Sequence, residues 1–160
     1  MRRKDREVKD SAEIYAMLAK CDTLRIGMAV ENQAYVVPVS FGCTQQDGKA
    51  VIYFHCAQEG LKLDFLKKNP KVCVEGDIFH KVEPTAHGIT TRYESVIGFG
   101  QCVFIEEEKE ILAGMNCLLA HYGYHDYPLT RCKGLAHLKL GKIILDQLTG
   151  KRNLSDCQGA

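Results

Sequence analysis

The sequence predicts a mainly β protein, a six-stranded antiparallel barrel flanked by helices. Its apolar segments are short and rich in β-branched or aromatic residues, as in residues 51–54 (Val-Ile-Tyr-Phe), which is typical of strands. Most turns between neighbouring strands are too short for parallel crossovers, so the strands should pair in antiparallel fashion. Several strands contain glycine, which indicates bending, and bent strands favour a closed or split barrel over a flat sheet with two open edges.

The composition indicates one domain over residues 1–160, because 46% hydrophobic residues are enough for a substantial core. Lys and Arg total 21 against 20 for Asp and Glu, so the net charge of +1 gives no electrostatic reason to expect nucleic acid or a membrane as a partner. No apolar run reaches the ~18 residues of a membrane helix, and the first ten residues lack the apolar core of a signal peptide. We therefore expect a cytoplasmic protein.

Three helices are predicted, over residues 10–20, 61–68 and 106–122. Asp10 can cap the first, and Glu13 follows at the spacing of a capping box. Pro70 stops the second helix, which begins after Gly60. The third has apolar residues at helical spacing, and Gly123 is suited to end it.

Strands are predicted over residues 24–30, 34–41, 49–55, 71–78, 90–105 and 136–148. Pro38 lies inside the second, which indicates an edge or a bulge, because proline cannot donate a ladder hydrogen bond. Residues 45–48 (Gln-Gln-Asp-Gly) predict a hairpin turn, whereas residues 80–87, which contain Pro84, are typical of a loop. Gly98 and Gly100 either leave room for a flat ring or another chain, or simply bend a barrel strand.

The eight cysteines are scattered singly, without the paired spacing of a zinc site. Cys73, Cys102 and Cys117 lie in apolar strands or on a helix face, where free cysteine behaves as a small hydrophobic residue. His121 and His125 are four residues apart, but Gly123 between them should end the helix. No metal site is therefore predicted.

The strand, turn and helix around Gly60 and Lys62 form the most informative segment. Lys62 places a positive charge in the first turn of a helix, where the helix dipole favours an acid, and a bound phosphate would explain that choice. The alternative is an ordinary connection with a solvated lysine. His55 ends the preceding strand and could hydrogen-bond a ligand, transfer a proton or cap the strand.

Several short motifs follow one another along nearly the whole chain: RRKDRE (2–7), YVVPVSF (35–41), YFHCA (53–57), GLKLD (60–64), NPKVC (69–73), YESVIGFG (93–100) and LTGK (148–151). In order and spacing they resemble the pyridoxamine-phosphate-oxidase-like flavoproteins, and most closely the branch that includes the nitroimidazole-resistance (Nim) proteins.

This resemblance implies an FMN-binding split barrel that forms a homodimer with FMN at each of two interface sites. Residues 37–40 would run along the isoalloxazine ring, His55, Ala57 and Lys62 would lie near the ribityl phosphate, and residues 95–100 would approach from the partner subunit. The residues expected at the cofactor are thus Val37, Pro38, Val39, Ser40, His55, Ala57, Lys62, Ser95, Ile97, Gly98, Phe99 and Gly100.

Two departures from related proteins limit what the resemblance implies. Leu61 stands where relatives often have a basic residue, which removes one charge from the phosphate site. The residues after Leu148 lack the Arg-x-His element of true pyridoxamine-phosphate oxidases, so that substrate is not expected. The two remaining functions are an FMN-dependent reductase of a small electron-poor acceptor such as a nitroimidazole, with His55 as the catalytic candidate, and a non-catalytic flavin- or haem-binding module.

Overall fold

The computed structural model describes residues 2–86, 88–129, 132 and 134–154. Eight strands occur in this part of the chain: β1 (Glu7–Val8), β2 (Leu24–Val30), β3 (Gln33–Val39), β4 (Gly42–Gln46), β5 (Lys49–Ala57), β6 (Lys71–Thr85), β7 (Gly88–Ile105) and β8 (Leu138–Asn153). The α-helices are α1 (Ser11–Lys20), α2 (Leu61–Lys68) and α3 (Glu108–His121), and short 3-10 helices span Lys4–Arg6 and Leu135–His137.

All the strands belong to one antiparallel sheet, in the order β3-β2-β6-β7-β8-β5-β4, with β1 added beside β8. The predicted mainly β, antiparallel architecture is confirmed, with eight strands in place of the six expected. The two additional strands have physical reasons. Strand β1 has two residues, too few to show a periodic pattern, and β4 follows β3 so closely that the predicted strand over residues 34–41 ends where β4 begins.

The helix ends agree with the sequence signals. Asp10 caps α1, because its Oδ1 accepts hydrogen bonds from the backbone N–H groups of Ala12 (2.7 Å) and Glu13 (3.1 Å). Helix α2 begins after Gly60, whose φ of 136° is a backbone conformation that glycine adopts readily and other residues rarely do. Helix α3 is followed by Gly123, which has a φ of 86°. The predicted positions of all three helices are confirmed to within two residues.

Two hairpins show where local sequence does and does not determine the turn. Asp47 and Gly48 have φ values of 49° and 76° and form the predicted tight turn between β4 and β5. Residues 80–87, expected as a loop, instead continue β6 to Thr85, where Pro84 pairs with Ile89 of β7; His87 lies outside the described residues. This part of the ribbon is largely exposed on both faces, so its side chains lack the alternating pattern of a buried strand.

Strand β5 is buried on both faces, which accounts for its continuous apolar run. Ile52 and Phe54 face the main core inside the curved sheet, together with Leu18, Ile26 and Ile143. The alternate residues Val51 and Tyr53 face a smaller cluster under α3, with Met115, Leu129 and Leu140 of β8. Because successive side chains of a strand point to opposite faces, the last residues of β5, 54–57, lie alternately on the two faces of the sheet.

Within the described part of the chain, no helix combines the length and the apolar character that crossing a membrane requires.

Candidate functional site

Helix α2 follows β5 and packs against β2 at one end of the curved, barrel-like sheet, and Lys62 lies in its first turn. Leu63, Phe65 and Leu66 of this helix are buried, and this packing fixes the orientation of its first turn. The Nζ atom of Lys62 lies 5.2 Å from the centroid of the Phe54 ring, which is fully buried in the main core. The half-buried Lys62 therefore directs its ammonium group towards the end of the barrel interior, as a phosphate ligand would require.

Lys139 of β8 lies at the same end of the barrel and was not among the residues predicted from the sequence. It is the direct cross-strand partner of Cys56 in β5, and its Nζ lies 5.7 Å from the centroid of the Phe104 ring. Burial raises the pKa of the Cys56 thiol, while the positive charges of Lys62 and Lys139 oppose that rise. Both ammonium groups therefore lie close to a single half-buried thiol.

Neither of these lysines forms an ion pair with a described residue. Lys142 of the same strand provides a contrast, because its Nζ lies 2.6 Å from Oε1 of Glu110 and this carboxylate raises its pKa. Two partly desolvated cations without a counter-ion repel each other and attract an anion. The arrangement of Lys62 and Lys139 is thus suited to bind a phosphate.

His55 and Ala57 lie on the opposite face of β5 from Phe54 and Cys56, and both are exposed. The structure therefore does not bring the His55 ring to the ammonium group of Lys62. No hydrogen bond or ion pair joins the His55 side chain to another described residue. His55 is available for contact with a ligand on the outer face of the strand.

The predicted ring-binding segment lies on β3, at one end of the sheet. Pro38 pairs with Arg25 of β2, and β3 has no second neighbour among the described strands, so the predicted edge position of Pro38 is confirmed. Val39 is buried in the core and Val37 is partly buried, whereas Pro38 and Ser40 are exposed. The outward side of this edge is open to a ligand.

The glycines of β7 make room for the chain's own strand β8. A Cβ atom at Gly98 would lie 2.8 Å from Cδ1 of Leu145, and one at Gly100 would overlap the carbonyl oxygen of Ile144, where a register shift interrupts the ladder. This finding favours the bent-strand interpretation for the glycines themselves. Between them Phe99 points outwards with 52% of its surface exposed, so a ring or a second chain could approach this outer face.

Ser95 and Ile97 occupy the same outer face of β7 as Phe99, Ser95 partly buried and Ile97 exposed. A shallow groove of about 470 Å³ adjoins this face, and it contains two of the predicted residues, Phe99 and Gly100. A larger groove of about 550 Å³ lies between the β2–β3 turn and α2, and it contains none of the predicted site residues. The positive charges of Lys62 and Lys139 lie outside both grooves and define the candidate site.

His121 has a structural role in the described chain. Its Nε2 lies 2.8 Å from the carbonyl oxygen of Cys21, to which it can donate a hydrogen bond, and its ring centroid lies 4.3 Å from that of Phe41. His125 lies beyond the end of α3, so the two histidines do not share a helix. The described residues contain no group of three His, Cys, Asp or Glu side chains suited to a metal ion.

Comparisons with known proteins agree with this architecture. A sequence profile of the pyridoxamine 5'-phosphate oxidase family matches residues 10–152. Among solved structures, a proposed 5-nitroimidazole antibiotic resistance protein from Bacteroides thetaiotaomicron is similar at 27% identity, with a TM-score of 0.80 over 91% of this chain and 86% of that protein. No curated protein sequence matches significantly.

Two more distant structures share the fold. One is an FAD-binding protein from Mycobacterium smegmatis, with 22% identity and a TM-score of 0.63 over 90% of this chain and 95% of that one. The other is an FAD- and haem-binding protein from the same organism, with 15% identity and a TM-score of 0.73 over 97% of this chain and 77% of that one. The predicted split-barrel fold is therefore confirmed.

Proposed function

We propose, from the premise that this chain belongs to the pyridoxamine 5'-phosphate oxidase family, that it is an FMN-binding flavoprotein that reduces a small electron-poor acceptor. The observation that carries the proposal is the unpaired ammonium group of Lys62 at the end of the barrel. A phosphate there would neutralise a partly buried charge that no described residue balances.

The residues present fit a phosphorylated flavin. Lys62 supplies a cation for a phosphate, and the N–H groups at the start of α2 add further donors. The exposed edge at Pro38 and Ser40 offers backbone groups to the polar rim of a flat ring. Lys62 and the N–H groups at the start of α2 would hold the phosphate, and the β3 edge would orient the ring.

We infer FMN rather than FAD for two reasons. The charges are concentrated at one place of phosphate size, and the sequence lacks the G-x-G-x-x-G fingerprint of an adenine dinucleotide site. Some proteins that share this fold bind FAD, so the fold alone does not decide between the two flavins. Purification from FMN-replete cells followed by chromatography of the flavin released on denaturation tests the assignment, and recovery of FAD or haem would refute it.

The acceptor class rests on the similarity to the proposed 5-nitroimidazole resistance protein from Bacteroides thetaiotaomicron. Bound FMN supplies the electron transfer, and the protein supplies binding and orientation. His55 is exposed and has no partner among the described residues, so its imidazole can hydrogen-bond or protonate an acceptor on the outer face of β5.

Rapid mixing tests the reductase activity directly. Photoreduced holoprotein is mixed anaerobically with a 5-nitroimidazole, and reoxidation of the flavin is followed by its absorbance. We expect the drug to accelerate reoxidation. If the rate is the same with and without the drug, the protein is a flavin-binding module with another role, and the reductase proposal fails.

His55→Ala tests the role of this side chain. General acid catalysis contributes roughly 10²–10⁴-fold, so we expect the reoxidation rate to fall by about that factor while FMN remains bound. His125→Ala, at another exposed histidine, serves as the matched control and should react at the parent rate. A His55→Ala variant that reacts as fast as the parent would make His55 structural.

A further inference from the structure

The two lysines at the end of the barrel lie over neighbouring aromatic rings. Gly141 of β8 pairs with Phe54 of β5 on one side and with Phe104 of β7 on the other, so the two rings flank a single glycine. Lys62 lies over the first ring at 5.2 Å and Lys139 over the second at 5.7 Å. Two segments distant in sequence therefore place their ammonium groups at the same end of the barrel.

The rings determine where these charges can lie. A Cβ atom at Gly141 would overlap the Phe54 ring, so this ring packs directly on the backbone of β8. An ammonium group above the face of an aromatic ring is attracted to it, which helps to hold both lysines at the end of the barrel. The lysine positions thus follow from core packing and from the register between β5 and β8.

Helix α2 supplies one cation at its start, because its first residue, Leu61, is uncharged and 51% exposed. A phosphate monoester carries about 1.5 to 2 negative charges near neutral pH, more than Lys62 alone neutralises. Lys139 has no ion-pair partner among the described residues and can supply the remaining charge. Strand β8 would then compensate for the missing charge at position 61.

We propose that Lys139 is the second phosphate-binding cation, and that with Lys62 it makes the site select flavins with a terminal phosphate over flavins without one. This inference rests on the proposed FMN-binding function. It assigns to β8 a direct part in choosing the cofactor.

Binding measurements on the full chain, freed of flavin, test the inference. FMN and riboflavin are titrated separately, with the quenching of flavin fluorescence as the readout, into the parent, Lys62→Met and Lys139→Met. Lys49→Met is the control, because it removes the same charge from an exposed ion pair with Asp146. A charge-assisted hydrogen bond contributes enough that each site variant should weaken FMN binding by roughly 10–150-fold, with riboflavin affinity changed by less than about threefold.

A second pair of variants separates charge from folding. Lys139→Arg should retain most of the selectivity for FMN, and Lys139→Gln should lose it, while circular dichroism verifies that each variant is folded. If Lys139→Met binds FMN like Lys49→Met while Lys62→Met does not, the inference about Lys139 fails and the proposed function stands. If the parent binds neither flavin, the proposed function fails and the inference fails with it. Equal losses of FMN and riboflavin in Lys139→Met would also overturn the inference.

Discussion

At the residue scale, the buried cysteines behave as apolar side chains. Cys21 and Cys102 are 1% and 4% exposed, and burial raises the pKa of each thiol to about 12. The prediction that Cys102 is a small buried hydrophobic residue is confirmed, whereas Cys73 and Cys117 are only partly buried. A thiol that remains protonated is a poor nucleophile, so these positions are unsuited to catalysis.

The raised pKa of Cys102 predicts a loss of stability in alkali. The thiol ionises near pH 9 in the unfolded chain and near 12 in the folded one, so its contribution is fully present below pH 9 and is lost as the pH rises towards 12. Cys102→Ala removes this dependence. We compare the free energy of unfolding of the parent with that of the variant. The difference between them should shrink by about 1–2 kcal/mol when the pH is raised from about 8 to about 10.5.

Urea denaturation at the two pH values measures this difference. Comparing parent with variant cancels the titration of lysines and tyrosines that both proteins share. An advantage that stays constant across the range would show that the pKa of Cys102 is not raised.

At the element scale, the contact between β7 and β8 depends on glycine. Gly100→Ala would force a methyl group against the carbonyl oxygen of Ile144, which belongs to the backbone and cannot rotate away. Overpacking typically costs about 1–3 kcal/mol, and a backbone clash should lie at the upper end of that range. We expect a corresponding decrease in the free energy of unfolding, measured by urea denaturation.

Gly134→Ala is the matched control for this variant. Gly134 has a φ of −79°, and a Cβ atom there would contact nothing within 4 Å, so alanine should change stability by less than about 1 kcal/mol. Equal stability of the two variants would mean that β7 can move away from β8 without cost.

The elements differ in how well local sequence predicts them. Helix α1 and the β4–β5 hairpin were predicted correctly because their signals are local. Asp10 accepts hydrogen bonds from the next backbone N–H groups, and Asp47 and Gly48 adopt the positive φ values of the turn themselves. The outer part of β6 was predicted incorrectly because this ribbon pairs with β7 without burying an alternate face. Local patterns report burial, and a strand largely exposed on both faces lacks that signal.

At the scale of the whole molecule, an apolar patch covers the outer face of β7 and β8. Ile97, Phe99, Val103 and Ile144 are 44%, 52%, 46% and 36% exposed. The pairing of Gln101 with Ile144 places all four on one surface. Exposed apolar residues gathered on one face are typical of a protein–protein contact, and we expect a homodimer that uses this patch.

Phe99→Lys should therefore dissociate the dimer. The variant loses the burial of the Phe99 side chain and places a charge in the contact. Together these cost about 1.5–3 kcal/mol or more of association free energy, which raises the dissociation constant at least about tenfold. Analytical ultracentrifugation measures the change, and FMN affinity should fall with it if the cofactor site is shared. Tyr124→Lys, at a site that is 62% exposed beyond α3, is the control. If the parent protein is a monomer and still binds FMN with full affinity, the cofactor site is not shared between two subunits.

The sequence predicted only one of the two lysines of the candidate site, because the other is placed by the pairing of distant strands. Lys62 follows from a local signal, a cation at the start of a helix after glycine, and the structure places it at the end of the barrel. Lys139 carries no such signal, because its position depends on the register between β5 and β8. Cross-strand partners far apart in sequence are set by tertiary packing, which local patterns do not encode.

Strand β8 lies inside the sheet, where it pairs with β1, β5 and β7, although it follows all three in the sequence. While the nascent chain is on the ribosome, β5 and β7 therefore have open edges until β8 emerges. Such long-range pairing slows folding and leaves edges that can aggregate. With Lys139 on this strand, the proposed phosphate site would be complete only after β8 has been translated, so bound flavin would stabilise chains that include β8 over shorter ones.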